Sequence, residues 1–399
     1  MKWEVIVSKN GENTLLLNGI QIYSQYRPGE GATKFIQSEY DCNAGSYLLI
    51  GLGLGHHLKA LLEYVNGKEI IVYYFSESEL QLFKKYNVTN WWEKKNVHLV
   101  NKINSSALDN DLQIILPNVW LKAIGQEHPL FSILEVIKIQ QISYNRNKVL
   151  LRENFNKNIM LNDFTIQTKK QTKIACLVAA GPSLNETVYW LKKLQKDIDI
   201  YVVSAALKTL LAHDVYPKAA VISDAKDITV QHFEKTGFTG QLYYLSTANH
   251  QSVLYHKGTR YILYQKGYEL AEQQAKIVPL IETGGSVGTV TFSLLERLGY
   301  EKIVLFGQDL GFYGQHTHAN FSTSKKVVTN ESSVREEQAN DGSIIYTRPM
   351  FQVFKHWYDQ KMTKTKVKVY NTAIKGAKIK NVPLIDEQQF QHLVNGDNL

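Results

Sequence analysis

The chain has 399 residues, a formal net charge of +8 and 44% hydrophobic residues, a composition typical of a folded globular protein that excludes a disordered one. Its two cysteines, Cys42 and Cys176, exclude a disulfide framework. No apolar segment approaches the roughly 18 residues of a membrane span, and the charged segment Met1–Lys9 does not fit a signal peptide. We therefore expect a cytoplasmic protein with no membrane partner.

The excess of basic residues is spread along the chain in pairs such as Lys84-Lys85 and Lys192-Lys193. A nucleic-acid-binding protein normally concentrates this charge in a groove, an arm or a motif. The scattered pattern therefore predicts solvated surface charge and no nucleic-acid partner. A small anionic ligand such as a nucleotide is compatible with the same excess.

The first 116 residues begin with short strands and then have the order of a nucleotide-binding fold. Trp3–Val7 is followed by the turn dipeptide Asn10-Gly11. The apolar run Tyr47–Ile50 is followed by the glycine-rich segment Gly51–Gly55 and an amphipathic helical pattern. This order predicts a small Rossmann-like α/β domain at the amino terminus.

The segment Gly51–Gly55 resembles a dinucleotide-binding loop, with Glu77 as a possible ribose acceptor. Phe75, however, stands where an acidic residue at the end of the next strand is expected. This departure favours a structural turn over a cofactor site.

A second alternation of strands and helices begins at Ile174–Ala180, a continuous apolar run typical of a strand buried on both faces. Helical patterns occupy Leu184–Leu194 and Val287–Leu298. Six further apolar runs predict strands: Ile200–Val203, Ala219–Ile222, Leu242–Leu245, Tyr261–Leu263, Ile303–Phe306 and Val367–Val369. This alternation predicts an α/β fold with a parallel, doubly wound, Rossmann-like sheet.

The predicted organisation is thus an N-terminal Rossmann-like domain over residues 1–116, a helical connector over 117–165 and a central catalytic domain over 166–399. In open α/β sheets, ligands bind beyond the carboxyl ends of the strands. Small and polar residues follow the predicted strands of the central domain: Gly181-Pro182-Ser183, Ser204, Asp224 and Gly307-Gln308-Asp309. We expect the site at this edge.

Gly181-Pro182-Ser183-Leu184 joins a strand to the start of a helix, where free backbone amides favour a phosphate. Ser183 and Glu186 also match the capping box Ser-x-x-Glu. From spacing alone, phosphate binding and helix capping are equally supported.

Thr283-Gly284-Gly285-Ser286 precedes the helical pattern that starts at Val287. Two adjacent glycines permit close contact between the backbone and a ligand, and they also suit a plain tight turn.

His316 and His318 lie in a loop after Asp309 and are candidates for a metal site or, individually, for a general base. Asp224 and Asp227 are candidates for Mg²⁺ ligands or for the cap of a following helix.

Several of these segments, in this order, resemble the central domain of the Maf proteins, the motility-associated flagellin glycosyltransferases. They are Ile174–Leu184, Val221–Asp224, Gly284–Val287, Phe306–Leu310 and His316-Thr317-His318. Asn371–Lys380 resembles the closing segment of that domain, so the resemblance covers about residues 165–385. The central domain is related to bacterial sialyltransferases and to an archaeal type of 6-hydroxymethylpterin pyrophosphokinase.

The resemblance implies transfer of a nonulosonic acid, such as pseudaminic or legionaminic acid, from its CMP ester to Ser or Thr of flagellin. Flagellin and the CMP-sugar would be the partners, and neither a metal nor a cofactor other than this donor is implied. An oligomer is possible.

Carried over by motif, the nucleotide and sugar would be bound by one group of residues: Gly181, Pro182, Ser183, Ser204, Asp224, Thr283, Gly284, Gly285, Ser286 and Gln308. The resemblance also implies that Asp309, His316 or His318 is the base that deprotonates the acceptor hydroxyl.

The sequence departs from the family pattern in two places. Ala180 stands where related sialyltransferases have Asn before Gly-Pro-Ser-Leu, which changes the expected recognition of the base of the nucleotide. The sequence also ends soon after Lys380, where many Maf proteins continue into a helical domain thought to engage flagellin.

Two other functions stay open at this stage. One is a pyrophosphokinase that uses ATP and Mg²⁺, which Asp224, Asp227 and Asp309 would support. The other is a non-catalytic, nucleotide-regulated module that binds flagellin.

Overall fold

The computed structural model describes residues 1–102, 112–125, 128, 130–314, 316–323 and 334–396. The chain forms two compact units, residues 1–142 and 143–399, and each unit contains its own parallel sheet with flanking helices. The predicted α/β, Rossmann-like fold class is confirmed.

The first unit begins with a three-stranded antiparallel sheet formed by β1 (Trp3–Val7), β2 (Asn13–Leu17) and β3 (Ile20–Gln21). Its parallel sheet has the order β6-β5-β4-β7. The remaining elements in chain order are α1 (Pro28–Glu39), β4 (Ser46–Ile50), α2 (His56–Tyr64), β5 (Glu69–Tyr73), α3 (Glu77–Tyr86), β6 (Val97–Val100), β7 (Leu112–Ile115) and α4 (Asn118–Ile124). The helix α5 (Phe131–Ile159) runs from the first unit into the second.

The second unit is built on an eight-stranded, fully parallel sheet with the order β17-β14-β9-β10-β11-β12-β13-β8. Its strands are β8 (Phe164–Thr165), β9 (Ala175–Val178), β10 (Asp199–Val203), β11 (Ala219–Ile222), β12 (Gln241–Leu245), β13 (Arg260–Leu263), β14 (Lys302–Phe306) and β17 (Lys368–Asn371). A separate antiparallel hairpin is formed by β15 (Arg335–Gln338) and β16 (Ile344–Thr347). The helices are α6 (Leu184–Leu194), α7 (Leu207–Ala212), α8 (His250–Tyr255), α9 (Glu269–Ala275), α10 (Val287–Leu298), α11 (Pro349–Lys361) and α12 (Glu387–Asn395).

The burial of the central strand β9 explains why it can be predicted from the sequence. All four of its residues are buried, because helices cover both faces of a parallel sheet. The strand therefore appears in the sequence as a continuous apolar run. The amphipathic period of α6 also depends only on residues close together in the sequence. The end of α10 is set in the same local way by Gly299, which follows the last turn with a φ of +90°.

The carboxyl-terminal part of α5 explains the polar character of the predicted connector. The side-chain amide of Asn158 donates to the carbonyls of Ser246 and Ala248, and that of Asn154 donates to the carbonyl of Ala225. Both asparagines are buried. Their polar side chains therefore satisfy the backbone of the loops that follow β11 and β12.

Within the described residues, no helix is both long enough and apolar enough to cross a membrane.

The glycine-rich loop Gly51–Gly55 of the first unit is filled by the protein itself. Aromatic side chains occupy the space beside its three glycines: Trp120 beside Gly51, Tyr23 beside Gly53 and Phe83 beside Gly55. A Cβ at any of these glycines would overlap its aromatic neighbour, and all three have positive φ. The close approach that glycine permits is used here for packing, as the structural-turn interpretation predicts.

Glu79 supplies the acceptor that holds this loop closed. Its Oε1 accepts from the amide of Gly53 at 2.7 Å and its Oε2 accepts from the amide of Phe75 at 2.6 Å. Glu79 is fully buried, and this burial raises the pKa of its carboxyl to about 7. The proposed ribose acceptor Glu77 lies two residues earlier, exposed in the first turn of α3.

Glu79→Ala is expected to lower the free energy of unfolding by about 2–4 kcal/mol, because two buried amides lose their acceptor and a cavity remains. Glu77→Ala is the matched control, with an expected change within about 0.5 kcal/mol since that side chain is exposed. Urea unfolding of both variants, followed by tryptophan fluorescence, measures the difference. Equal stabilities for the two variants would contradict the role given to Glu79.

Candidate active site

The order of the strands in the large sheet changes direction at β9. From β9 the chain continues through β10, β11, β12 and β13 on one side, and it then returns to form β14 on the other side of β9. The carboxyl ends of β9 and β14 therefore flank a switch point, which is where ligands bind in open α/β sheets.

A hydrogen-bonded pair closes the base of this crevice. The hydroxyl of Ser183 donates to Oδ2 of Asp309 at 2.8 Å, and the amide of Ser183 donates to Oδ1 at 3.2 Å. Gly181 lies between the two strand ends, where its amide donates to the carbonyl of Gly307. A Cβ at Gly181 would overlap both that carbonyl and the carboxylate of Asp309, so only glycine permits this pairing.

Of the two uses that the spacing allows for Ser183, helix capping is not the one that the structure shows. The hydroxyl of Ser183 bonds to Asp309, and the side chain of Ser183 makes no capping hydrogen bond to α6. The amides expected to be free for a phosphate are also engaged. Those of Gly181 and Ser183 bond to the β14 side of the crevice, and that of Leu184 bonds to the carbonyl of Gly181. A carboxylate distant in the sequence has taken the place that local spacing assigns to a ligand or a cap.

Asp309 is a buried carboxylate with strong local interactions. It is 4% exposed, and burial raises the pKa of its carboxyl to about 6, against the lowering effect of the hydrogen bonds from Ser183. Its backbone carbonyl also accepts from the amide of Ala377 at 2.6 Å. The position of this group is therefore fixed by both the α6 side and the closing segment of the domain.

The start of α10 offers the amides that the α6 loop does not. Ser286 and Thr289 form a reciprocal capping box at this helix terminus. Within the described part of the chain, the amides of Gly285, Val287 and Gly288 have no hydrogen-bond acceptor. Unpaired amides at the start of a twelve-residue helix favour an anion.

This helix terminus lies at the crevice because of close packing against the residue before Asp309. A Cβ at Gly288 would lie 2.5 Å from Oε1 of Gln308. Gln308 is buried, and its Oε1 also accepts from the hydroxyl of Tyr358 at 3.3 Å. Gln308 is thus a packing and hydrogen-bonding residue between α10 and α11.

The remaining members of the predicted Thr283–Ser286 turn line the approach to α10. Thr283 is half-buried, and Gly284 is buried against the ring of Trp357. Gly285 is exposed and has a φ of +90°, and a Cβ there would lie 3.3 Å from the ring of Phe354.

The histidine loop is tied to the same strand end. The amide of Ala319, the residue after His318, donates to the carbonyl of Ala180 at 2.8 Å, and the amide of Asn320 donates to the side chain of Asn185. Nδ1 of His318 lies 2.8 Å from the hydroxyl of the buried Thr317. His318 is half-buried, whereas His316 is exposed.

Ser204 follows β10, the neighbour of β9, and it has a partner that sequence reasoning missed. Its hydroxyl lies 2.8 Å from Nδ1 of His232. Both side chains are buried, and burial lowers the pKa of His232 to about 4, so this imidazole is neutral at neutral pH. No local motif marks His232, because the contact joins two loops 28 residues apart.

Asp224 and Asp227 follow β11, farther from the crevice. An oxygen of Asp224 accepts from the amide of Lys226, and one of Asp227 accepts from the side chain of Asn249. β11 and β14 are three strand positions apart, which corresponds to about 14 Å at the usual spacing between strands. Asp224 and Asp227 therefore do not converge with Asp309 on one ion. Among the described residues, no group of three or more His, Cys, Asp or Glu side chains is placed to hold a metal ion.

A cavity of about 640 Å³ lies at the opposite edge of the sheet, beside the bidentate ion pair between Arg260 and Asp163. Arg260 is the first residue of β13, so this cavity is at the amino-terminal edge. None of the predicted site residues lines it.

The structure thus brings most of the predicted residues to one edge, with the β9–β14 crevice as their centre. Those at the crevice are Gly181, Pro182, Ser183, Gln308, Asp309, His318, Gly284, Gly285 and Ser286. Ser204 lies one strand away and Asp224 two strands away from β9. The arrangement combines a helix terminus with unpaired amides, a buried carboxylate and a histidine.

Comparisons with known proteins agree with this architecture. Residues 150–315 match the model of a family described as 6-hydroxymethylpterin diphosphokinase MptE-like. A solved structure, the Maf glycosyltransferase from Magnetospirillum magneticum AMB-1, matches with a TM-score of 0.53 and 14% sequence identity. The match covers 97% of this chain and 71% of that one. No curated protein sequence matches the chain.

At this level of identity the likeness establishes a shared fold. The resemblance to the Maf proteins that the sequence motifs indicate is therefore confirmed at the level of the fold, over almost the whole chain. The MptE-like match begins within α5 and ends in the histidine loop, so it contains Ser183, Asp309 and the start of α10.

The buried carboxyl of Asp309 predicts a specific dependence of stability on pH. Between its usual pKa of 3.8 and about 6, the folded state holds the proton more tightly than the unfolded chain. Unfolding then releases a proton, so this group makes the free energy of unfolding fall as the pH rises through that window. Asp309→Asn lacks this proton, and its stability relative to the wild type is expected to rise by on the order of 2–3 kcal/mol between about pH 4 and pH 6.

Urea unfolding of the wild type and Asp309→Asn across this pH range measures the change. Asp197→Asn, at an exposed carboxylate between α6 and β10, is the control and should keep a constant difference from the wild type. A constant difference for Asp309→Asn as well would show that its carboxyl has an ordinary pKa.

Proposed function

We propose that this chain is a glycosyltransferase that transfers a nonulosonic acid, of the pseudaminic, legionaminic or sialic type, from its CMP ester to Ser or Thr hydroxyls of flagellin. Such a transfer would support flagellar assembly and motility. The observation that carries the proposal is the convergence of the Ser183–Asp309 pair, the unpaired amides of α10 and the His318 loop at the β9–β14 switch point. The fold shared with the Maf glycosyltransferase supports the same reaction class.

In this proposal the CMP phosphate binds the start of α10. The amides of Gly285, Val287 and Gly288 and the positive end of the helix dipole favour a dianionic or monoanionic phosphate. The Ser183 hydroxyl lies across the crevice, and Ser204 and Asp224 extend the pocket along the sheet edge. Ser204 is oriented by the neutral His232.

The transfer breaks the bond between the anomeric carbon and the CMP phosphate oxygen, and the phosphate keeps the electron pair. Oxocarbenium character develops at the anomeric carbon, and the acceptor oxygen forms the new bond to it. The acceptor hydroxyl proton passes to a base, for which we assign His318. The contact between Nδ1 and the Thr317 hydroxyl orients the imidazole ring in the loop beside the crevice.

Asp309 is assigned a positioning role. Its carboxylate accepts both hydrogen bonds from Ser183 and is 4% exposed, so an acceptor hydroxyl would have to displace Ser183 to reach it. His316 is exposed and has no comparable anchoring contact among the described residues. The phosphate leaves as an anion stabilised by amides, so the chemical step requires no metal.

His318→Ala is expected to lower kcat for sugar transfer by about 10²- to 10⁴-fold, because the acceptor proton loses its base. The affinity for CMP should stay close to that of the wild type, since the proposal places the nucleotide at the start of α10 and the imidazole at the acceptor hydroxyl. His316→Ala is the matched control and should keep kcat within about threefold. Full activity in His318→Ala, with loss in His316→Ala or Asp309→Asn, would reassign the base.

A second function is favoured by the MptE-like match over residues 150–315. A pterin diphosphokinase would use the same crevice for ATP, transfer a diphosphate to a hydroxymethyl group and require Mg²⁺. Asp309 is a carboxylate at that crevice, and the separation of β14 from β11 keeps Asp224 and Asp227 from sharing an ion with it.

One experiment separates these functions. The protein is incubated with CMP-nonulosonate and flagellin, with and without EDTA, and the intact mass of flagellin is measured. A mass gain that EDTA does not abolish supports the glycosyltransferase. Release of AMP from ATP that depends on 6-hydroxymethylpterin supports the diphosphokinase, and flagellin binding without either reaction supports a non-catalytic module.

A further inference from the structure

One face of α11 forms a wall of the candidate active site. Arg348, Phe351, Phe354 and Tyr358 are spaced three or four residues apart and therefore lie on the same side of the helix. Phe351 has its ring 6.4 Å from that of His318. Phe354 lies against Gly285, and the hydroxyl of Tyr358 donates to Gln308. Arg348, at the N-cap position, is the first residue of this wall.

The guanidinium of Arg348 packs against the loop that follows the carboxyl end of β14. Its central carbon is 5.8 Å from the centre of the Phe312 ring, which is buried. Phe312 is anchored there because its amide donates to the carbonyl of Tyr346 at 2.7 Å. Thr347, the residue before Arg348, donates its hydroxyl to the carbonyl of Leu310. Arg348 thus follows a residue that is hydrogen-bonded to Leu310, the residue after Asp309.

This arginine has an unmet hydrogen-bonding requirement. Its Nε is buried and donates to no acceptor, and no carboxylate within the described residues forms an ion pair with it. A buried donor without an acceptor is costly, and a charged one more so. A buried polar group without a partner calls for an explanation, and a bound ion or a role at a functional site is one.

The neighbouring cations do not share this property. Arg335 donates to the side chain of Gln352, Lys355 pairs with Asp359, and Lys375 pairs with Asp341. Arg348 is therefore the cation on this wall, among the described residues, whose charge no protein group neutralises.

We propose that Arg348 binds the carboxylate of the transferred sugar, so that it is a specificity-determining residue for acidic sugars. This inference rests on the proposed glycosyltransferase function. A guanidinium offers two parallel N–H donors that match a carboxylate, and contact with the Phe312 ring fixes its plane. A lysine would supply the charge without this geometry.

The position of Arg348 favours the sugar carboxylate over the nucleotide phosphate. The unpaired amides of Gly285, Val287 and Gly288 provide a phosphate site at the start of α10. Arg348 lies instead at the other end of the wall, one helical turn before Phe351, which contacts the proposed base His318. The donor would then extend along α11, with its reacting end between His318 and Arg348.

The test compares two probes, CMP and CMP-pseudaminic acid, on the wild type and on Arg348→Gln by calorimetric titration. Gln keeps part of the side-chain length and removes the charge. The expected result is a loss of about 10- to 100-fold in affinity for CMP-pseudaminic acid, with the affinity for CMP changed by less than about threefold. Arg297→Gln, at an exposed arginine in the last turn of α10, makes the same change in net charge and should leave both affinities unchanged.

Arg348→Lys separates geometry from charge, and it should recover only part of the lost affinity. An unchanged thermal unfolding midpoint for both variants would show that the fold is retained.

Three outcomes overturn the assignment. Equal weakening of CMP and CMP-pseudaminic acid would place Arg348 at the phosphate. Unchanged donor binding with a raised KM for flagellin would place it at the acceptor, and no change in either would leave it without a ligand role. If the wild type binds neither probe nor their legionaminic counterpart, the proposed function fails and this inference fails with it. If the wild type transfers the sugar and Arg348→Gln binds the donor equally well, this inference fails and the proposed function stands.

Discussion

The pairing of β9 with β14 is the constraint on which the candidate site depends. These strands are far apart in the sequence, and their parallel pairing brings the loop after β9 against the end of β14, where the amide of Gly181 donates to the carbonyl of Gly307. The carboxylate of Asp309 fits beside this hydrogen bond because Gly181 has no side chain, since a Cβ there would overlap both the carboxylate and the Gly307 carbonyl. Asp309 then reaches Ser183, and the loop, the first turn of α6 and the strand end become one connected structure.

Both units of the chain use a buried carboxylate to hold a glycine loop, with different results. In the first unit, Glu79 accepts from the amide of Gly53, and aromatic rings fill the space where a ligand would approach. In the second unit, Asp309 accepts from the amide of Ser183, and the groups that contact Gly181 are this carboxylate and a backbone carbonyl. The second loop therefore stays lined by polar atoms, beside the unpaired amides of α10. This contrast explains why a similar glycine pattern marks a packed turn in one unit and a candidate active site in the other.

Three ionisable side chains at or near the crevice have buried polar atoms. Asp309 and the neutral His232 are buried, and the Nε atom of the half-buried Arg348 is buried as well. Asp309 and His232 have protein partners within hydrogen-bonding distance. Arg348 has an aromatic neighbour, and within the described ranges its Nε has no acceptor, which is the observation behind the proposed carboxylate site.

The sequence by itself determined the elements and the edge at which the site lies. Continuous apolar runs predicted the buried parallel strands, and capping glycines and amphipathic periods predicted α6 and α10, because these signals depend only on neighbours within a few residues. The rule that ligands bind at the carboxyl ends of strands then selected Gly181, Ser183, Gln308 and Asp309. Only the tertiary structure decided how these residues are used. Local spacing left helix capping and phosphate binding as equal alternatives for Ser183, whereas in the structure a carboxylate 126 residues away takes its hydrogen bonds. His232 and Arg348 carry no local signal, because the groups that bury and orient them come from strands and helices that the chain brings together only on folding.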